Sequence, residues 1–197
     1  MSGPDERVVD EPELVRSYSA PAVAPEPRDP YRRSSHHDPD LRPSLHDPYL
    51  RPTPADVLPR TVTGAQQRFT PSPPQWDNAR VIVSVARDRG LPVYAAVIAL
   101  ATALQESLLE NLTEAVDNDS LGLFQQRPSS GWGIPDELTD PAYAAGAFLD
   151  GLVARAPDFR ELPLWESAQA TQASAHPQAY AQWEEQAAAM VDEICGE

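Results

Sequence analysis

Sixteen consecutive residues without a charge, Gly90 to Gln105, constrain this chain more than any other feature. The run is shorter than the roughly 18 to 20 apolar residues that a membrane span needs. The segment LPVYAAVIALATALQESLL is nevertheless apolar nearly all round, which predicts a helix covered on every side rather than one with a wet face. Pro92 suits its first position, and the pattern continues unbroken to Leu109. Other elements must wrap around such a helix, so the expected fold class is all-α, a helical domain built on a buried central helix.

The wrapping elements are legible at helical spacing. Trp76 to Arg89 places Ala79, Ile82, Val83 and Ala86 on one face, with Gly90 as a stop. Asp140-Pro141 reads as a cap and first turn leading to about Ala154, with Tyr143, Phe148, Leu149 and Leu152 for burial. Pro163 to Ala175 predicts another helix. Tyr180, Trp183, Ala187, Met190, Val191 and Ile194 form the clearest stripe, read as core packing, with Glu184, Glu185 and Asp192 opposite. Between these helices, Glu110 to Pro135 lacks a long period and is rich in Asn, Asp, Ser, Gly and Pro. That composition predicts an irregular cleft wall with at most a short hairpin or turn of helix.

Proline divides the chain. Of 22 prolines, 15 precede residue 75, where they interrupt helix and strand alike. Residues 1–74 are therefore expected to be a disordered Pro/Arg-rich arm and residues 75–197 the folded domain. Within the arm HDPDLRP (His37 to Pro43) recurs as HDPYLRP (His46 to Pro52), with an echo at Asp29-Pro30-Tyr31-Arg32. The simpler reading is duplicated linker; the sharper one is a docking peptide for a protein partner. His36, His37 and His46 lack a fixed frame or cysteine, so no metal is expected, and no organic cofactor is implied. The chain contains no lysine and carries a net charge of −15, which argues against a nucleic-acid surface. Cys195 is the single cysteine, so no intramolecular disulfide forms. MSGPDERVVDEPELVR has acids where a basic export signal would begin, so neither a signal peptide nor a membrane span is expected.

Glu106 is the first charge after the apolar run and falls in the last turns of the central helix. Burial and the negative end of the helix dipole both disfavour its ionised form. A carboxyl held protonated near neutral pH is what a general acid needs to protonate a leaving oxygen. The same residue turned outward would simply be solvated, and spacing alone does not choose between the two.

ALQESLLENL followed by DSLGLFQQRPSSGWG resembles the lysozyme-like soluble lytic transglycosylases and goose-type lysozymes, over roughly the domain from Gln75 onward. The resemblance implies a lysozyme-like helical fold, Glu106 of Glu106-Ser107 as acid/base, and Gly122-Leu123-Phe124-Gln125 lining a sugar cleft. Phe124 stands where methionine is commoner in the family's Gly-Leu-Met-Gln. Asp140-Pro141 with Ala145-Gly146-Ala147-Phe148-Leu149 looks like the family's Asp-Pro…Gly-x-x-Tyr-Leu stretch. One motif departs: where Ala-Tyr-Asn-Ala-Gly is expected, residues 168–175 read AQATQASA, in which Gln169, Thr171 and Gln172 offer hydrogen bonds but no phenol.

The candidate substrate-binding residues are Ser107, Asp119, Ser120, Gly122, Leu123, Phe124, Gln125 and Trp132. Gly122 either admits a sugar ring close to the backbone or marks a bend. Gln125 offers an amide suited to N-acetyl groups. Trp132 either stacks on a pyranose face or plugs the loop into the core. Ser107 either bonds the Glu106 carboxylate or caps the helix end. Hydrolysis needs a second carboxylate, about 5 to 5.5 Å away for retention or about 6.5 to 9.5 Å for inversion, and Asp117 and Asp119 are the nearest in sequence. Otherwise one glutamate acts twice and yields an anhydro sugar, as the resemblance implies. The expected substrate is the glycan strand of peptidoglycan, which places a catalytic form at the cell wall despite the missing export signal. The alternatives are a catalytically silent lysozyme-like module that binds glycan or protein, and a plain acidic interaction domain.

Overall fold

The computed structural model describes Tyr49 and residues 52–57, 64–115 and 118–197. Residues 1–48 lie outside this set, and with them the HDPDLRP copy, most of the expected arm, and His36, His37 and His46; so does Asp117. The described elements are α1 (Pro54–Val57), α2 (Pro73–Asp88), α3 (Val93–Ser107), α4 (Pro135–Leu138), α5 (Pro141–Arg155), α6 (Leu164–Gln172) and α7 (Glu184–Gly196), with 3-10 turns at Pro128–Ser130 and Pro177–Trp183. Among the described residues there is no strand, and extended backbone pairs only at the isolated antiparallel bridge of Leu121 with Gln126. None of the described helices is long and apolar enough to cross a membrane.

Helix α3 is the axis of the compact unit. Every residue from Val93 to Leu104 is buried, and α1, α2, α5, α6, α7 and the second 3-10 turn all pack on it. Its many alanines (95, 96, 99, 101, 103) let neighbours approach on every face, while Ile98, Leu100 and Leu104 supply the bulk. Truncating one of these three to alanine costs about 2–5 kcal/mol in a core of this kind.

Helix ends depart from the periodicity for local reasons. Helix α2 starts earlier, at Pro73, because Gln75 Oε1 accepts from the backbone N–H and the hydroxyl of Ser72 (2.7 and 2.8 Å). Helix α3 stops at Ser107 instead of reaching Leu109. Leu108 and Leu109 both turn left-handed (φ 53° and 65°), and the reversal returns Leu109 to the core while Leu108 stays exposed. Two α2 side chains cap the carbonyls this leaves: Gln75 Nε2 donates to Leu108 O (2.8 Å) and Asn78 Nδ2 to Leu109 O (2.9 Å). Helix α6 ends at Gln172, short of the expected Ala175, because Ala173 also turns left-handed.

Two burial expectations are corrected, at Tyr143 and Glu184. Tyr143 is exposed, its ring lying against Gly133 rather than the core. The C-terminal stripe begins in a 3-10 turn, and α7 starts only at Glu184. That change of pitch rotates Glu184 inward to complete burial, while Glu185 pairs with Arg68 at 2.7 Å and Asp192 faces solvent.

Packing also reaches N-terminal of Gln75, in a compact unit spanning Pro43–Glu197. Tyr49, from the HDPYLRP copy, is buried, and its hydroxyl donates to Leu91 O (2.9 Å) and Pro92 O (3.2 Å) at the start of α3. Val57 is buried in the same core, and Phe69 packs edge-on against Trp183 with ring centroids 6.1 Å apart. Single anchors spaced by proline carry no period, so the pattern does not reveal them.

Candidate functional site

The last turn of α3 opens onto a pocket of about 190 Å³. Glu106 comes from α3, Gln125, Arg127, Ser130 and Trp132 from the irregular wall, and Gln172, Ala173 and Ser174 from the end of α6. Glu106 is the only carboxylate among the described residues that line it.

The Glu106 carboxyl is mostly withdrawn from water, and burial pushes its pKa up. Hydrogen bonds from Tyr180 and Gln172 pull in the opposite direction without cancelling the effect. The Tyr180 hydroxyl donates to Glu106 Oε1 at 2.7 Å. Burial, and the Glu106 carboxylate next, push the phenol pKa far up, so Tyr180 stays a donor throughout the neutral range. The arrangement disfavours the carboxylate through burial and still stabilises it through the Tyr180 bond once the proton leaves.

The wall opposite is a tight hairpin. Leu121 and Gln126 exchange backbone bonds (2.9 and 3.1 Å) around the turn at residues 122–125. Gly122 has φ 71°, and a Cβ there would collide with the carbonyl oxygen of Leu138, so glycine is required by contact with protein backbone. Leu123 and Phe124 point into the core, where Phe124 stacks on Phe148 with centroids 4.9 Å apart. Their carbonyls anchor the wall: Ser107 Oγ donates to Leu123 O (2.8 Å) and Gln172 Nε2 to Phe124 O (2.6 Å).

The structure therefore brings Glu106, Gln125 and Trp132 together around one pocket. Gln125 adopts a left-handed backbone (φ 47°), and its amide donates to Gly122 O at 3.1 Å. The other candidates do not line it. Ser107 ties α3 to the hairpin instead of bonding the Glu106 carboxylate, its second bond going to Ala103 O (3.2 Å). Ser120 is buried. Asp119 accepts from Arg127 Nε (2.7 Å) and Ser129 N (2.8 Å), bonds that lower its pKa to about 2. Trp132 is half-buried, with the Arg155 guanidinium 4.8 Å from its ring centroid.

Tyr180 is the hydrogen-bond partner of Glu106 that the helical stripe concealed. A phenol within an otherwise apolar stripe needs a buried acceptor, and that need was its one sequence signal. Arg127, Ser130 and Ser174 carried none. A larger depression of about 530 Å³ at the start of α2, lined by residues including Gln75, Asn78 and Glu110, holds none of the candidates. No group of three or more His, Cys, Asp or Glu able to hold a metal occurs among the described residues. No protein-family model matches the chain, and no curated protein matches it either.

Proposed function

We propose that the protein is a lysozyme-like lytic transglycosylase that cleaves the glycan strands of peptidoglycan at the cell wall, with Glu106 as its single acid/base. The observation that carries this reading is a pocket whose one carboxylate is desolvated and accepts a 2.7 Å bond from Tyr180. The resemblance of Glu106-Ser107 and Gly122-Leu123-Phe124-Gln125 to the family motifs supports the same assignment. Tyr180 also answers the departure at residues 168–175, since a phenol reaches the acid from the next segment of chain.

The chemistry needs no metal or organic cofactor. Protonated Glu106 donates to the bridging glycosidic oxygen as the bond to the anomeric carbon breaks, and the departing chain leaves as an alcohol. The resulting carboxylate, held by Tyr180, takes the proton of the sugar's own 6-hydroxyl while that oxygen bonds to the anomeric carbon. Glu106 is restored, no water is consumed, and the product is a 1,6-anhydro sugar. Asp119 is committed to Arg127 and Ser129, which favours this route over a second-carboxylate hydrolysis.

Mass spectrometry of purified peptidoglycan digested with wild type and Glu106→Gln tests the proposal. Anhydro-muropeptides that vanish in the variant are the expected result. Reducing ends would assign a hydrolase instead. No products from a folded wild type over a range of salt and pH would overturn catalysis and leave a silent glycan-binding module.

A further inference from the structure

Tyr180 is held in place by a segment remote from the pocket. It lies in the seven-residue 3-10 turn Pro177–Trp183. Such turns rarely exceed three or four residues, because their hydrogen bonds are poorly aligned, so this one depends on outside support. That support comes from two sides. From α3, Gln105 Oε1 accepts from Gln182 Nε2 (2.7 Å) and from the Trp183 indole (3.1 Å). From residues 64–70, the Gln67 N–H donates to Gln182 O (2.7 Å) and Arg68 pairs with Glu185 (2.7 Å).

Gln66 makes the most specific of these contacts. Its Nε2 donates to Ala181 O (2.9 Å), one residue after Tyr180, and its Oε1 accepts from the Glu185 N–H (3.0 Å) in the first turn of α7. One amide thus straddles the junction where the 3-10 turn becomes an α-helix, using its donor on one side and its acceptor on the other. A side-chain amide presents both in one planar group.

We propose that Gln66 is a positioning residue for the site: by clipping Ala181 and Glu185 together, it fixes the register of the Tyr180 hydroxyl against the Glu106 carboxyl. Gln66 touches neither Glu106 nor the pocket and acts through Tyr180 alone. The consequence for turnover rests on the catalytic reading of Glu106, whereas the consequence for the carboxyl itself does not. The groups that bear on Glu106 are Tyr180 from the 3-10 turn and Gln172 from α6, and among the described residues Arg127 is the one other charged residue lining its pocket.

The test is a carbon-13 NMR titration of the Glu106 carboxyl in the full chain, assigned by its loss in Glu106→Gln. Removing a hydrogen bond to a charged acceptor is worth about 1.5–3 kcal/mol, so Tyr180→Phe is expected to raise the Glu106 pKa by about one unit or more. Gln66→Ala should raise it in the same direction by at least about 0.3 units, and the double variant should match Tyr180→Phe. Gln67→Ala, which keeps its backbone bond, should change nothing. An unmoved Glu106 in Gln66→Ala, or a full extra shift on top of Tyr180→Phe, would overturn the proposal. If Gln66→Ala does not fold, Gln66→Met, which keeps the length of the side chain without charge and loses both donor and acceptor, carries the same expectation. Glycan cleavage followed in parallel separates the two claims. A wild type that cleaves nothing sinks the catalytic reading, while the titration still decides the role of Gln66.

Discussion

The Tyr180 hydroxyl donates to Glu106 Oε1 at 2.7 Å across 74 residues of sequence. Two opposed influences meet in that bond. Burial disfavours the carboxylate, and the phenol selectively stabilises it, the balance an acid/base needs if it is to give up a proton and recover it. Tyr180→Phe removes only the stabilising half. We expect turnover to fall about tenfold or more and the alkaline limb of the pH–rate profile to move to higher pH, measured on defined glycan oligomers.

Glu106 itself is costly to the fold. Its pKa is raised above the unfolded value, chiefly by burial, so its contribution is most favourable below the unfolded pKa and is lost as pH rises through the folded one. Glu106→Gln keeps an acceptor for Tyr180 and removes the buried charge. It should lower turnover by about 10²- to 10⁴-fold and raise the melting temperature at pH 7, with the gain vanishing near pH 4. A lower melting temperature at pH 7 would contradict the buried-acid assignment.

The all-helical class and the central helix were legible because sixteen uncharged residues leave one structural solution, and Glu106 stood out as the charge that ends them. The C-terminal stripe was legible only as burial. Its period could not show that residues 177–183 wind as a 3-10 turn, and that winding puts Glu184 inside and aims the Tyr180 hydroxyl at α3. Tyr49 and Gln66 were hidden for a different reason. Tyr49 bonds the carbonyls of Leu91 and Pro92, and Gln66 bonds the Ala181 carbonyl and the Glu185 N–H; isolated long-range bonds of this kind leave no periodic trace. At Gly122 and Ser107 the sequence left two readings open, because residue type alone does not show that each meets the protein's own backbone, at Leu138 and Leu123.

Gly122 combines a left-handed backbone with direct contact on Leu138. Gly122→Ala should destabilise the unit by about 2–4 kcal/mol, measured by urea unfolding. A cost under about 0.5 kcal/mol would mean that the hairpin yields easily and that Leu138 does not hold it.

Asp119 anchors the other end of the same wall. With its pKa lowered to about 2, mainly by the bonds from Arg127 and Ser129, its contribution is present above the unfolded pKa near 4 and is lost as pH falls through about 2. Asp119→Asn should flatten the acid limb of the stability curve between those values and leave stability near pH 7 lower than in wild type. Circular dichroism melts across that range read both effects.

Trp132 poses a choice that one kinetic split resolves. Arg155 covers one face of its ring, and the ring edge lies close to Gly151 of α5, where an added Cβ would sit 3.3 Å from it. That packing seats the indole firmly while part of it still lines the Glu106 pocket. A ring so held is pre-oriented for stacking on a sugar, because little side-chain freedom remains to be lost on binding. Trp132→Ala is therefore expected to raise KM for glycan oligomers about tenfold, equivalent to about 1.4 kcal/mol, with a smaller change in kcat. Trp132→Phe should recover most of that loss. If the residue only plugged the loop, Trp132→Ala would lower the melting temperature and leave KM unchanged. Arg155→Ala separates the two cases further: it frees the covered face and the Thr171 carbonyl that Arg155 also holds at 2.6 Å, so it should loosen the indole and raise KM without removing the stacking surface.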